Sequence, residues 1–548
     1  MTGTDEVEFD YTRQGLCGRD RRLQRLFEIV PGAASWSVLA GLSALSFIRP
    51  VWALVLILAF DLFWLLSLVY SLVLLMLSSC RLAIERHTTW MAWVRALDSA
   101  PDSEAAPRTL SDRIHRRELA ALRRSGEARP SSEAIHHVVI LSLENESRAV
   151  IERAVESLLR QTFPLERTIV VLALEESAPR KVREAAWELH REHYERFLAL
   201  HVAPCHAKAG ENGGFRADDL NYAAKLAAEI VHGKGIAAAD VVVSRLDAHS
   251  VPSPEYLACL TWNFLRSPHR CRASFQPIPV YDRNIWEVPA IARVLETGSS
   301  FVHIVEATNP DRLVTFTSHS MSIASLEEVG YWPAGMISDD SSIFWKCYLR
   351  FGGDFRVVPM YCPLSLDVPY TGPFLHAAGS VYREKCRKAW AIENFPIVLR
   401  GFLATNRIPL AVRLRRGFTL LHNHVVSATW PFIVLVIGWL PGISAAVHSP
   451  ASLVSYNAPR IQAVVLFFVL GALAVCLALS LLHLPRKGST HPVTRVAFHL
   501  LEWLLLALPA IFLDALSALE VQSRMIFGKY PRDRRSERPS RGSPERGV

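Results

Sequence analysis

The sequence predicts an α/β body with a Rossmann-like, mixed or parallel sheet, carried between transmembrane α-helices. Three observations lead there. From about residue 135 to 400, short apolar runs alternate with amphipathic helical repeats, the pattern of strand–helix–strand units. Apolar stretches of membrane-spanning length flank that body on both sides. Arg-rich clusters at Arg13–Arg25, Arg108–Arg124, Arg413–Arg416 and Arg532–Arg541 lie near those stretches, as cytoplasmic flanks do.

Composition narrows the class. Half of the 548 residues are hydrophobic, too many for an ordinary soluble protein, yet 20% are charged, too many for a pure bundle of spans. The formal charge is +8, but the arginines have no interleaved aromatic platform, so no nucleic-acid partner is expected. Nine cysteines without CxxC pairing argue against a zinc ribbon or disulfide framework and fit a reducing compartment.

Residues 1–31 read as a polar, basic cytoplasmic tail. No cleavable signal peptide is expected, because the apolar run after Arg13–Arg25 is too long and no A-x-A-like site closes it. Residues 32–80 read as a transmembrane hairpin, with apolar arms 32–48 and 51–79 around Pro50. Residues 81–134, rich in Arg, Glu, Ala and Ser, read as a linker with some helix.

The body, 135–400, opens with the buried-strand pattern Val138–Leu141. Ala149–Arg160 then has helical periodicity, with Val150, Ala154, Val155, Leu158 and Leu159 on one face, and Gln161-Thr162-Phe163-Pro164 stops it. Strand Thr168–Leu174, helix Arg180–Phe197, strand Leu198–Ala203, helix Asp218–Val231 and strand Asp240–Val243 follow. In parallel sheets ligands sit at the carboxyl ends of strands. Glu175 and Asp247 each fall just after a strand.

Beyond 400, residues 401–424 read as an interfacial amphipathic helix, centred on Leu410–Leu421. Residues 425–520 read as C-terminal transmembrane helices, with candidate spans Val425–Val447, Ile461–Leu482 and Val496–Leu519. Residues 521–548 read as a disordered basic tail. Three C-terminal crossings from a cytoplasmic body would put that basic tail outside, against the positive-inside rule. Pro509 offers an alternative in which the last segment is broken or re-entrant.

Two acidic clusters carry the chemistry. Asp247-Ala248-His249 presents two potential ligands on one side of a strand-end turn, where a divalent metal could meet a diphosphate. An imidazole at the second position suits Mn²⁺ better than Mg²⁺. The plain alternative is a strand-end turn with Asp247 as a local acceptor. Ser338-Asp339-Asp340-Ser341 reads as a helix start capped by Ser338 or Asp339. An acid there stays ionised, as a general base for a hydroxyl must be. His319 and the pair His136-His137 read as structural.

Residues 135–400 resemble a membrane-anchored family 2 glycosyltransferase of the GT-A fold, related to the polysaccharide synthase-like subgroup. The resemblance rests on Ser157–Pro164, Asp219-Leu220-Asn221-Tyr222-Ala223, Asp247-Ala248-His249 with Pro254-Glu255-Tyr256, Phe275-Gln276-Pro277, Glu328–Trp332, Ser338–Ser341 and Trp390–Pro396, in that order. It implies the following roles. Asp340 is the catalytic base, with Asp339 as its acidic neighbour. Asp247 and His249 hold a divalent metal, Mn or Mg. Glu175, Glu176 and Arg216 bind the donor, and Glu384, Arg387, Lys388 and Trp390 form the acceptor and phosphate region. His249 stands where a second Asp is usual, and Glu384 and Lys388 depart from Q-x-x-R-W. The implied activity is inverting transfer of a sugar from a nucleotide-diphosphate sugar to a lipid-linked or growing glycan acceptor. The body would be cytoplasmic, with membrane lipids as neighbours. A catalytically degenerate scaffold or nucleotide-sensing protein is the alternative. A transporter is disfavoured by the lack of repeated halves.

Overall fold

The computed structural model describes residues 9–99, 109–126, 129–175, 178–204, 216–368, 374–448, 452–483 and 492–531. The chain opens with helices α1 (Gly18–Ile48), α2 (Pro50–Glu85), α3 (Trp90–Asp98) and α4 (Leu110–Ser125). The body follows as β1 (His136–Leu143), α5 (Arg148–Leu159), β2 (Thr168–Leu174), α6 (Arg180–His193), β3 (Ala199–Pro204), α7 (Arg216–Gly233), β4 (Val241–Asp247), β5 (Ser250–Pro252), α8 (Tyr256–Arg266), β6 (Ala273–Tyr281), α9 (Ala290–Ala307), β7 (His319–Ser322), α10 (Ile323–Glu328), α11 (Asp339–Arg350), β8 (Arg356–Leu366), α12 (Phe374–Ala389) and α13 (Asn394–Ala404). It ends with α14 (Leu410–Leu435), α15 (Leu440–His448), α16 (Leu453–His483) and α17 (Pro492–Ile526).

Eight strands form one mixed sheet in the order β3-β2-β1-β4-β7-β6-β8-β5. The strands read from sequence, β1 to β4, are mutually parallel, with Ser142 opposite Asp247 and Leu143 opposite Leu174. β7 is antiparallel to both β4 and β6, and β8 is parallel to β6. One face of the sheet packs on α3, α5, α6 and α8 through Val94, Ile151, Val182 and Trp262. The other packs on α7, α10, α11 and α13 through Ala224, Leu326, Phe344 and Ile397.

Several boundaries differ from the sequence reading. α1 begins at Gly18, so the basic cluster of the supposed tail is already helical, with Pro31 inside the helix. The linker is folded: Trp90, Val94 and Leu119 from α3 and α4 belong to the body's core. The interfacial segment and the start of the next span are one continuous helix, α14, which passes through Pro431 before the bend after Leu435.

Among the described residues three helices are long and apolar enough to cross a membrane: Gly18–Ile48, Pro50–Glu85 and Leu453–Leu479. The bent pair Leu410–Leu435 and Ile437–His448, at 43°, would make a fourth. α17 packs along the body. It is continuous, with Pro509 inside. Its acids face the body: Glu502 meets Arg293 of α9 at 2.5 Å, Asp514 meets Lys385 of α12 at 3.3 Å, and Glu520 accepts from Tyr382 of α12 at 2.5 Å. Tyr530, just past α17, packs on Trp390 with ring centroids 5.2 Å apart.

Candidate active site

β4 carries the first acid to the carboxyl edge of the sheet. Its run Val241-Val242-Val243 is buried, and the strand ends at partly exposed Asp247. There the carboxylate accepts the backbone N–H of His249 at 3.0 Å, a local turn of the kind Asp favours. His249 lies between two other acids, with Nδ1 3.8 Å from Asp367 and Nε2 4.0 Å from Glu146. Burial works against ionising Asp367. His249, Arg153 and Arg283 outweigh it and hold that carboxyl below its ordinary pKa.

Asp339 and Asp340 open α11, with Ser338 as its N-cap residue. Asp339 is buried, whereas the Asp340 side chain keeps 25% of its exposure. Both meet Arg245, one turn of the pleat before Asp247 on β4. Its Nη2 is 3.1 Å from Asp339 Oδ2, and its Nη1 bonds Asp340 Oδ1. Arg245 is 3% exposed. The two acidic clusters, far apart in sequence, are therefore joined through one buried guanidinium.

A short loop joins them a second time. Thr315 Oγ1 donates to the Asp340 carbonyl at 2.7 Å, and Ser318 Oγ accepts from the Asp247 N–H at 3.3 Å. Gln276 of β6 pins this loop, accepting from Phe316 N at 3.1 Å and donating to Ser318 O at 2.8 Å. Between them Thr317 has φ 41°, a strained value for a β-branched residue. His319 follows on β7. Burial first, then Arg245, lowers its pKa to about 3, so it is neutral and accepts from Trp332 Nε1 at 3.3 Å. That agrees with its structural reading.

Behind α11 lies the segment after Trp390. Glu393 Oε1 accepts from the N–H groups of Ile337 and Ser338 at 2.6 and 2.7 Å, so a buried carboxylate fixes the approach to the acidic pair. Asn394 donates to Ser341 Oγ at 2.9 Å and accepts from Ser342 Oγ at 2.8 Å. Trp390 is buried against Tyr530, Ile337 and Met525, so it supports the motif from behind.

Glu384 and Arg387 bond each other at 2.8 Å. Lys388 lies 3.6 Å from the buried Glu296 and 5.5 Å from the ring centroid of Tyr281. Burial disfavours its cation, but Glu296, Tyr281 and Glu384 prevail and raise its pKa. Tyr281, at the end of β6, is pushed up to about 12, chiefly by burial, with Lys388 opposing and Glu296, Glu384 and Asp247 adding to the rise. The α12 residues thus gather around Tyr281 within electrostatic reach of Asp247. Glu175 lies just past β2, its N–H bonded to Leu143 O at 3.0 Å. Glu176 and the side chain of Arg216 lie outside the described residues.

Sequence reasoning did not single out Arg245, Tyr281, Glu393 or Asn394. A signal existed for the first. An arginine inside the strand run Val243-Ser244-Arg245-Leu246 must be paired if it is buried.

Among the described residues no group of three or more His, Cys, Asp or Glu could hold a metal. A single carboxylate, Asp247, at the open sheet edge suits a hard cation that keeps waters and takes its remaining oxygens from a diphosphate.

No family model matches the chain. Over 119 residues, 21% of this chain and 24% of the relative, it is 30% identical to the poly-beta-1,6-N-acetyl-D-glucosamine synthase of Staphylococcus aureus (strain COL). Over 112 residues it is 29% identical to the enzyme of the same name from Staphylococcus epidermidis, covering 20% and 24%. The match thus spans about a quarter of the length of these curated relatives. Two solved structures are similar. One is the mannosyltransferase PcManGT from Pyrobaculum calidifontis in complex with GDP-Man and Mn²⁺, with 16% identity, 80% of this chain, 100% of that one and TM-score 0.41. The other is Staphylococcus aureus TarS 1–349 in complex with UDP-GlcNAc, with 14% identity, 72%, 93% and TM-score 0.34. Over that quarter of the relatives' length, the chain is similar to enzymes that make a poly-N-acetyl-glucosamine.

Proposed function

We propose that this protein is an inverting glycosyltransferase at the cytoplasmic face of a membrane. It moves a sugar from a nucleotide-diphosphate sugar to a lipid-linked or growing glycan acceptor. The observation that carries this reading is the coupling of Asp247 and Asp340 through Arg245 and the loop 315–318. One acid sits at the sheet edge that receives the diphosphate, the other at a helix start with its side chain partly open.

In this reading Asp340 accepts the proton of the acceptor hydroxyl as that oxygen attacks the anomeric carbon, opposite the departing diphosphate. Arg245 aims the carboxylate. Asp247, with His249, would hold Mn²⁺ or Mg²⁺, which neutralises charge on the leaving diphosphate. Lys388 adds a fixed positive charge near the same edge. Glu175, Glu176 and Arg216 are proposed to bind the donor. Glu384 and Arg387 are proposed to shape the acceptor side, while Trp390, expected there, is buried and supports the motif from behind.

A hairpin of α1 and α2, a bent crossing by α14 and α15, and a return by α16 would make four crossings. That number keeps both ends on the body's side. It is supported by the packing of Arg13 and Tyr530 against each other beside Trp390. α17 then stays with the body through its acids, which removes the conflict with the positive-inside rule.

The test is transfer by purified full-length protein from UDP- and GDP-sugars, with N-acetylglucosamine tried first because the curated match names it. Sugar release or transfer that needs a divalent cation supports the reading. Nucleotide binding without turnover supports a nucleotide-sensing scaffold instead, a reading favoured by the Arg245 contact that occupies Asp340.

A further inference from the structure

The residues before α1 lie against the back of the acidic motif. Phe9 stacks under Arg400, whose guanidinium carbon is 5.3 Å from the ring centroid, and Arg400 donates to the Thr12 carbonyl. Tyr11, 3% exposed, donates its hydroxyl to Asn394 Oδ1 at 2.6 Å. Arg13 sits over the Tyr530 ring at 4.2 Å. Gln14 Nε2 lies 3.0 Å from where a Cβ on Gly335 would stand, so the segment closes onto a glycine with φ +72° three residues before Ser338.

We infer that the segment Phe9–Gln14 is a strap of the transfer site and that Tyr11 is its positioning residue, acting through Asn394 on the helix start that carries Asp340. This rests on the transferase reading above. Asn394 is the junction: the oxygen that accepts from Tyr11 also accepts from Ser342 Oγ, while its amide donates to Ser338 Oγ at 3.2 Å and Ser341 Oγ at 2.9 Å. Tyr11 therefore selects the orientation in which the Asn394 oxygen faces Ser342 and its nitrogen faces Ser338 and Ser341. Burial, then Glu393, raises the Tyr11 pKa well above the ordinary value, so the hydroxyl keeps the proton it donates. A strap drawn from the sequence ahead of the first membrane helix would link anchoring to the placement of the base.

The test uses the full-length protein in detergent micelles or nanodiscs, comparing the parent with Tyr11→Phe, which keeps the ring, and Asn394→Leu, which removes the junction. Hydrogen–deuterium exchange of the peptide spanning Met336–Ile343 and steady-state transfer are both read. The proposal expects exchange in that peptide to rise about 3- to 10-fold in Tyr11→Phe, the effect of one lost buried hydrogen bond, with peptides from β1 and β4 unchanged. It expects kcat to fall by a similar factor at unchanged donor KM, and a larger fall in Asn394→Leu. Unchanged exchange in Tyr11→Phe overturns the strap. Raised exchange with parental kcat shows support of the helix without bearing on transfer, and also overturns it. A parent that transfers no sugar while Tyr11→Phe still loosens the peptide fails the transferase reading, and the proposal falls with it.

Discussion

Arg245 of β4 ion-pairs with both acids at the start of α11, reaching Asp339 Oδ2 at 3.1 Å and bonding Asp340 Oδ1. The guanidinium and Asp339 are buried, while Asp340 is at the rim. The guanidinium offsets the repulsion between two adjacent carboxylates, one of them buried.

Arg245→Met should therefore act on stability and on the base. Removing the guanidinium beside the buried Asp339 carboxylate should destabilise by about 3–5 kcal/mol, read by chemical denaturation. Losing the guanidinium that orients Asp340 should also lower the transfer rate at saturating donor if Asp340 is the base. A parental transfer rate in the folded variant would show that Arg245 does not act on Asp340.

The contact between α4 and the body should be pH-dependent. His115 is buried between Glu85, at 2.8 Å, and Glu118, at 3.1 Å, with Arg81 and Arg266 paired to the same acids. Burial opposes the His115 cation, but Glu118 and Glu85 outweigh it and raise its pKa. Burial opposes the Glu118 anion, but His115 and Arg266 outweigh it and lower its pKa. The raised histidine contributes stability that is complete below its unfolded value, about 6.5, and is lost as pH rises through the folded value. The lowered glutamate contributes stability that is complete above its unfolded value, about 4.3, and is lost as pH falls through the folded value. Both act between about pH 4.5 and 6.5. The melting temperature should be highest there and decline on the alkaline side. Trp90, with its ring centroid 4.6 Å from His115, provides the fluorescence signal. His115→Gln should flatten the alkaline decline, and an equal slope in both proteins would contradict the account.

The fate of the metal motif depends on His249. Restoring the usual acid with His249→Asp should broaden metal use towards Mg²⁺. His249→Ala should weaken nucleotide binding measured with Mn²⁺ and leave metal-free binding unchanged. If both variants keep the parental metal dependence, the imidazole belongs to its contacts with Asp367 and Glu146 and not to the cation.

The first half of the sheet was legible because β1 to β4 are buried apolar runs separated by amphipathic helices. β6 and β8 were not, because Pro277, Pro279, Pro359 and Pro363 read against a strand. The register shifts between Pro277 and Ile278, beside Pro363, while Pro279 and Pro359 pair in register with Leu364 and Gln276. Asp247 and Asp340 were legible from motif order. Arg245, which joins them, was hidden by the apolar strand around it, and Glu393 by lying in a segment whose only recognised feature was Trp390. Within α17, apolar residues dominate the sequence, so its polar contacts were not legible. Glu502, Asp514 and Glu520 find partners on α9 and α12, which only tertiary packing supplies.

The central claim is that Asp340 is the base, and Asp340→Asn tests it most directly. The amide keeps the side chain's shape at the helix start and deletes its basicity. A lost helix-end charge is worth under about 1 kcal/mol, whereas loss of a general base typically lowers the rate by about 10²–10⁴. The measurement is the transfer rate of folded Asp340→Asn at saturating donor, beside its donor Kd. The account predicts a parental Kd with transfer reduced at least about 100-fold. Transfer at the parental rate would make Asp340 a structural residue and contradict the mechanism.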